Sequence, residues 1–329
     1  MRAFAWFLGT LVAAGLIAAV IAYPVYELTS QVASWPFHRV ASRVAMLAAA
    51  GGLAWVCRHL GVGGRRALGY GLPWRRFVKV ALSCGVIGMA TAAVGAALLL
   101  AMHWRVVADA PSVSKLFFVF KLFLVGLSSG IAVALIEETV MRGALHSAIA
   151  RESGQWAAVL LTAPLFAVLH FFAKARIPVD QLNWGSGFDL LARSFAPLGT
   201  PSLVFDSFMA WLAVSLVLSL TRVLTGNIAA ALGLHAGWVV ILRMLQEATA
   251  SGPAAEGSAW LGRFDGLLGY WVLPWSAAIG LALWLTRHAW VPYAAGLDCG
   301  APGGAPDDGV KGAMAASPSR RSTGSSSSK

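Results

Sequence analysis

Eight stretches of this chain stay apolar for about as long as a bilayer is thick. They cover roughly residues 4–24, 41–58, 79–101, 116–138, 157–173, 203–221, 226–246 and 268–287. A helix of about 20 residues crosses the hydrocarbon core, where every backbone polar group must be bonded within its own segment. That leaves few folds open, and the expectation is an all-α fold, a polytopic transmembrane helical bundle of about eight spans. Charged side chains make up 12% of the 329 residues and hydrophobic ones 58%. A soluble domain carries about 25% charged residues, so this chain has too few to solvate a water-facing surface. The first run, Phe4 to Ala22, has the length of a retained helix rather than of a cleaved leader. The fourth is expected to run on past Arg142 as one long tilted helix.

The net charge is +11, but the basic residues mostly flank apolar runs. Lipid headgroups and the positive-inside bias account for them there, and no nucleic acid partner is expected. The strongest cluster is Arg58, Arg65, Arg66, Arg75, Arg76 and Lys79, in the second connection. Placing it in the cytoplasm puts both termini inside, in a multi-pass protein of the cell membrane. The connection 174–202 is rich in Gly, Pro, Trp and Ser and reads as a lid or a packed loop. Its Lys174, Arg176 and Arg193 break the charge rule. Cys57, Cys84 and Cys299 have neither metal-ligand nor disulfide-framework spacing, and Cys84 is expected to fill space in a helix. The chain divides into N-terminal transmembrane helices (1–110), a core (111–292) and a tail (293–329) whose composition cannot build a core and reads as disordered.

Ionisable groups inside an apolar span are costly and mark function by default. Glu137 and Glu138 end the fourth run, in LIEETVMRGALH. Glu138 and Arg142 are four apart, on one helix face and in the favourable acid-first order. Glu137 points about 100° away, which leaves it the freer carboxylate and a competent base. His170 and His235 sit in later apolar runs. A convergence of Glu137, His170 and His235 can hold a water for attack on a carbonyl, with one histidine orienting the water and the other donating to the oxyanion. The same three groups can also ligate zinc, although no His-Glu-x-x-His motif is present. Each group has an ordinary reading too. Glu138–Arg142 can be a structural ion pair, either histidine an interhelical bond, Asp206 a helix cap or polar contact, and His146 an interfacial residue. Gly233 and Gly237 flank His235 and let another helix approach closely.

In this order the motifs resemble the CPBP (Abi) family of glutamic-type intramembrane endopeptidases, which includes the CAAX prenyl protease type. Glu137, Glu138 and Arg142 match its Glu-Glu-x-x-x-Arg. Phe166 and His170 match its Phe-x-x-x-His. His235 matches the start of its His-x-x-x-Asn/Asp, and Gly226-Asn227 resembles the lead-in. The likeness covers about residues 120–246. One position departs from it, because Val239 stands where the family has Asn or Asp, and Asn227 is the candidate auxiliary group.

The resemblance implies a CAAX protease-like fold with a membrane cavity open to the cytosol, and hydrolysis of a peptide bond in a membrane-associated protein or peptide. Glu137 is then the general base and Glu138 and Arg142 orient the site. His170 and His235 position the water and stabilise the intermediate, and no resident cofactor is needed. Two other classes compete with this reading. One is an inactive family member serving as a membrane scaffold or immunity-type protein, and the other is a transporter using the acids as proton or substrate sites. Depth poses a further problem. Glu137 falls near the cytoplasmic end of the fourth run and His170 about 14 residues into the fifth, roughly 20 Å apart along the membrane normal. Convergence needs a longer fourth helix, a later fifth or a strong tilt.

Overall fold

A computed structural model describes residues 1–108, 114–172 and 175–288. The tail, with Cys299, and Lys174 lie outside the described residues. The helices are α1 (Arg2–Ser30), α2 (Phe37–His59), α3 (Trp74–Ala101), α4 (Lys115–Glu138), α5 (His146–Ser153), α6 (Gln155–Leu169), α7 (Ser186–Phe195), α8 (Pro201–Thr225), α9 (Ala229–Ala248) and α10 (Val272–Leu285). Between α4 and α5 the helix widens into π turns over Thr139–Leu145 without breaking. One apolar helix therefore runs from Lys115 to Ser153.

Six helices are long and apolar enough to cross a membrane, and the protein is a multi-pass membrane protein. Each of the eight expected runs overlaps a helix. The fifth and eighth, however, form helices of only 15 and 14 residues. At 1.5 Å per residue these are about 22 Å long, short of a ~30 Å core. The eight expected runs thus appear, among the described residues, as six long helices and two shorter apolar ones.

The ends of the elements follow from local chemistry. Pro36 and Pro73 precede α2 and α3 in extended conformation, and Pro201 opens α8, a first-turn position where its missing N–H costs nothing. Gly226, at φ 66°, stops α8 in the left-handed region.

Small residues decide which helix lies at the centre. A Cβ on Gly233 of α9 would sit 2.1 Å from Ala81 O of α3, and one on Gly237 2.3 Å from Gly85 O. On the other side, a Cβ on Gly130 of α4 would sit 2.7 Å from Ala236 O. Backbone therefore meets backbone on both faces of α9, which is 61% buried over its apolar window where α4 is 22%. In a bilayer this close van der Waals approach replaces the hydrophobic drive between helices. The close approach expected at Gly233 and Gly237 is made by α3, and Cys84 of α3 is buried beside it.

At the other end of α3 and α9, β1 (Arg105–Val107) pairs antiparallel with β2 (Thr249–Ser251). Arg105 ties the ribbon, donating from Nε to Thr249 Oγ1 at 2.8 Å and from Nη2 to Thr249 O at 2.6 Å. Three-residue strands carry too little period to be read from sequence.

The basic connection between α2 and α3 folds inward. Ser147 Oγ donates to Ala67 O at 2.6 Å, and Ile228 N donates to Gly69 O at 3.1 Å. Arg151 donates to the carbonyls of Leu60 and Gly61. The N-terminal ammonium bonds Glu152 at 2.7 Å, so the first residue, this loop and the end of α5 share one end of the bundle.

Candidate active site

The depth problem resolves in the α4–α6 hairpin. The fourth helix continues to Ser153, turns at Gly154 (φ 88°) and returns as α6. Glu138 precedes this turn, and His170 follows it, by about 15 residues each, or roughly 22 Å of helix. The two groups therefore reach the same depth.

Glu138 and Arg142 are both fully buried. Arg142 Nη1 donates to Glu138 Oε1 at 3.0 Å. Its Nη2 donates to Ser215 Oγ at 2.7 Å and Ser215 O at 3.2 Å on α8. The guanidinium carbon lies 4.4 Å from the centre of the Phe166 ring. Two charges in a low-dielectric interior persist only when paired and hydrogen-bonded, and among the described residues only Arg142 Nε and Glu138 Oε2 of this pair are left without a partner. The π turns add a contact, since the backbone carbonyl of Arg142 accepts Arg222 Nε at 3.0 Å. Tyr70, from the folded loop, donates its hydroxyl to Thr139 Oγ1 at 2.6 Å, while Thr139 donates to Leu135 O.

Glu138 Oε1 accepts a second bond, from His235 Nδ1 at 2.8 Å. A carboxylate only accepts, so Nδ1 carries the proton. In neutral His235 the lone pair is then on Nε2, which lies 3.9 Å from Glu137 Oε2. Glu137 is one-third exposed, and its Oε2 has no hydrogen-bond partner among the described residues. His170 is the residue that ends α6, and its Nδ1 donates to Phe166 O at 2.8 Å. Its neutral ring also presents a bare Nε2. Phe166 stands among these groups, with ring centres 4.6 Å from His170 and 6.1 Å from His235. All six residues of the expected constellation outside the α9 lead-in therefore meet, and of the two glutamates Glu137 is the one without a hydrogen bond among the described residues.

Asn227 does not join them. Its Nδ2 donates to Thr225 O at 2.8 Å and its Oδ1 accepts Ala229 N–H at 2.9 Å. The side chain caps the start of α9, as Asn does at helix starts, and is fully buried. His146 is not interfacial either. It is 1% exposed and donates from Nε2 to Gln155 Oε1 at 2.9 Å. Asp206 follows its structural reading. Its carboxylate accepts Ser207 N–H at 2.7 Å and Arg263 N–H at 3.1 Å, which ties α8 to the loop before α10.

Sequence reasoning missed two side chains of α8. Ser215 receives Arg142, and the indole of Trp211 stacks on the His170 imidazole with centres 3.7 Å apart and planes at 23°. Trp and Ser four apart in an apolar helix carry no signal of their own. Their meaning depends on which helix they face. Val239 borders an apolar cavity of about 80 Å³ together with Trp211, His235 and Trp238. Among the described residues no three His, Cys, Asp or Glu side chains are grouped to hold a metal ion.

No curated protein and no solved structure matches the chain. A family model described as type II CAAX prenyl endopeptidase, Rce1-like, matches residues 118–241, from the first turn of α4 to the middle of α9. That window holds the glutamates, Arg142, Phe166, both histidines and Val239, and over it the chain is similar to the CAAX prenyl endopeptidase family.

Proposed function

We propose that this protein is an intramembrane endopeptidase acting on a membrane-associated protein or peptide, with Glu137 as the base that activates water. The observation that carries the reading is the double bond acceptance at Glu138. By holding Arg142 and His235 Nδ1 together, it turns His235 Nε2 toward Glu137 at 3.9 Å. A water between them has two acceptors for its protons, and its oxygen lone pair is free to attack.

The chemistry then runs in two steps. Glu137 takes a proton from the water as the oxygen bonds to the scissile carbonyl carbon, and the carbonyl π electrons move onto oxygen. The tetrahedral intermediate collapses, the C–N bond breaks, and the proton held by Glu137 passes to the departing nitrogen. His170 and His235 position the water, and either one, when protonated at Nε2, donates to the developing oxyanion. Glu138 and Arg142 touch none of the reacting atoms in this scheme and act by orientation. We also place the basic loop and both termini on the cytoplasmic side of the cell membrane, on the charge bias alone. A fluorescent-protein or phosphatase fusion at each terminus tests that placement.

The test of the activity compares peptide termini in membranes from cells carrying the wild-type protein and Glu137→Gln at equal protein level. Termini that disappear in the variant are the expected result. Identical termini under all expression conditions sink the peptidase reading. Metal content of the purified protein is a separate check, because stoichiometric zinc that is lost on His170→Ala would overturn a mechanism run by the carboxylate alone.

A further inference from the structure

The reaction above calls for a donor that faces the carbonyl oxygen, and until a histidine is protonated at Nε2 the site residues named so far supply none. Glu137 only accepts, and the neutral rings of His170 and His235 present bare Nε2 atoms because their Nδ1 protons go to Phe166 O and Glu138. Arg142 keeps an unused Nε–H, but the residue is fully enclosed, so no substrate reaches it. Val239, where the family has Asn or Asp, offers carbon only.

The cavity beside Val239 is lined by four tryptophans. Three have spent their indole N–H. Trp238 donates to Thr91 Oγ1 at 3.0 Å, Trp275 to Thr91 O at 3.1 Å and Trp271 to Leu267 O at 2.7 Å. Trp211 differs, since its Nε1–H donates to nothing among the described residues. It is also not among the enclosed polar atoms that lack a partner, so this N–H opens onto accessible space. Within apolar surroundings an indole N–H ordinarily finds an acceptor. The ring is held against the chemistry on three sides. It stacks on His170 at 3.7 Å, borders the cavity that His235 and Val239 share, and rides on α8 one turn from Ser215, which Arg142 grips. The stack sets the rim of the indole beside the rim of the His170 imidazole.

We propose that Trp211 is a catalytic residue whose indole N–H donates to the scissile carbonyl oxygen, the part left open by Val239. The proposal rests on the peptidase reading. Donation from a fixed, uncharged N–H needs no proton transfer beforehand and becomes stronger as charge develops on oxygen, so it lowers the barrier more than it tightens ground-state binding.

The experiment uses the full chain and a quenched peptide spanning one Glu137-dependent cleavage site. Removing a single oxyanion donor costs about 10²–10³ in kcat. Trp211→Phe is expected to lose about that much, with KM changed by no more than about twofold, a split that loss of packing does not produce. Replacing Trp211 with 3-benzothienylalanine keeps the ring size and the stack while removing the N–H, and the same loss is expected. Adding Val239→Asn to Trp211→Phe is expected to recover at least about tenfold of the rate, and no recovery counts against Trp211 standing in for that position. A benzothienyl variant with wild-type kcat overturns the proposal while the peptidase reading stands. If no peptide is cleaved in a Glu137-dependent way, the peptidase reading falls first and this inference goes with it.

Discussion

Gly130 lies eight residues from Glu138, yet the geometry makes it a control on the site. A Cβ there would stand 2.7 Å from Ala236 O, and ordinary contact begins near 3.4 Å. The obstacle is α9 backbone, which has no rotamer to change. Gly130→Ala must therefore part α4 from α9 by about 0.7 Å, the difference of those two distances. Carried along a stiff helix, that displacement stretches the 2.8 Å bond from His235 Nδ1 to Glu138 to about 3.5 Å, beyond the hydrogen-bond range. A hydrogen bond to a charged group contributes about 1.5–3 kcal/mol. Losing it frees the imidazole to turn, and the cleavage rate is expected to fall about 10- to 100-fold, taking about 1.4 kcal/mol per factor of ten. Overpacking adds about 1–3 kcal/mol of destabilisation. The assay follows Glu137-dependent cleavage and thermal unfolding on the same preparation. Ser128→Ala is the comparison, because that exposed hydroxyl bonds only Val125 O of its own helix. A folded Gly130→Ala protein that cleaves at the wild-type rate refutes the reasoning. So does a loss of rate that merely tracks the fraction unfolded.

Four further outcomes follow from the same contacts. Glu137→Gln is expected to abolish cleavage with the melting temperature nearly unchanged, since Glu137 Oε2 has no hydrogen-bond partner to lose among the described residues. Glu138→Gln leaves Arg142 buried beside a neutral group and should destabilise by about 3–5 kcal/mol, with Arg142→Met recovering much of that in the double variant, as read by denaturation in mild detergent. Ser215→Ala removes the 2.7 Å acceptor of Arg142 and should cost about 1–3 kcal/mol by the same measurement. Tyr70→Phe removes the bond to Thr139 and should loosen the folded loop by about 1 kcal/mol, seen as faster hydrogen exchange at residues 64–72.

Much of the architecture was legible because a bilayer permits so little. Run length and the scarcity of charge implied a helical bundle, and the pair at Glu138 and Arg142 followed from helix period alone. Helix length was less legible, since among the described residues the runs 157–173 and 268–287 form helices of 15 and 14 residues. Hydropathy records preference for lipid and is silent on where a helix stops. Here α6 stops at His170, which needs its Nδ1 for the Phe166 carbonyl of the last turn. Asn227 misled for a related reason, because an Asn near a motif and an Asn capping the next helix look identical in sequence.

The order of acids and histidines along apolar helices was enough to nominate Glu137, Glu138, Arg142, His170 and His235, because an ionisable group in lipid is too costly to be incidental. Which of them stay paired and which stay free was decided by tertiary structure. Glycines on both faces of α9 let α3 and α4 close on it until His235 reached Glu138, and that bond sets the proton on one ring nitrogen and aims the other at Glu137. The same packing brought α8 alongside, with Trp211 on His170 and Ser215 on Arg142. Residues so far apart in the chain share no period, so only the fold brings them together.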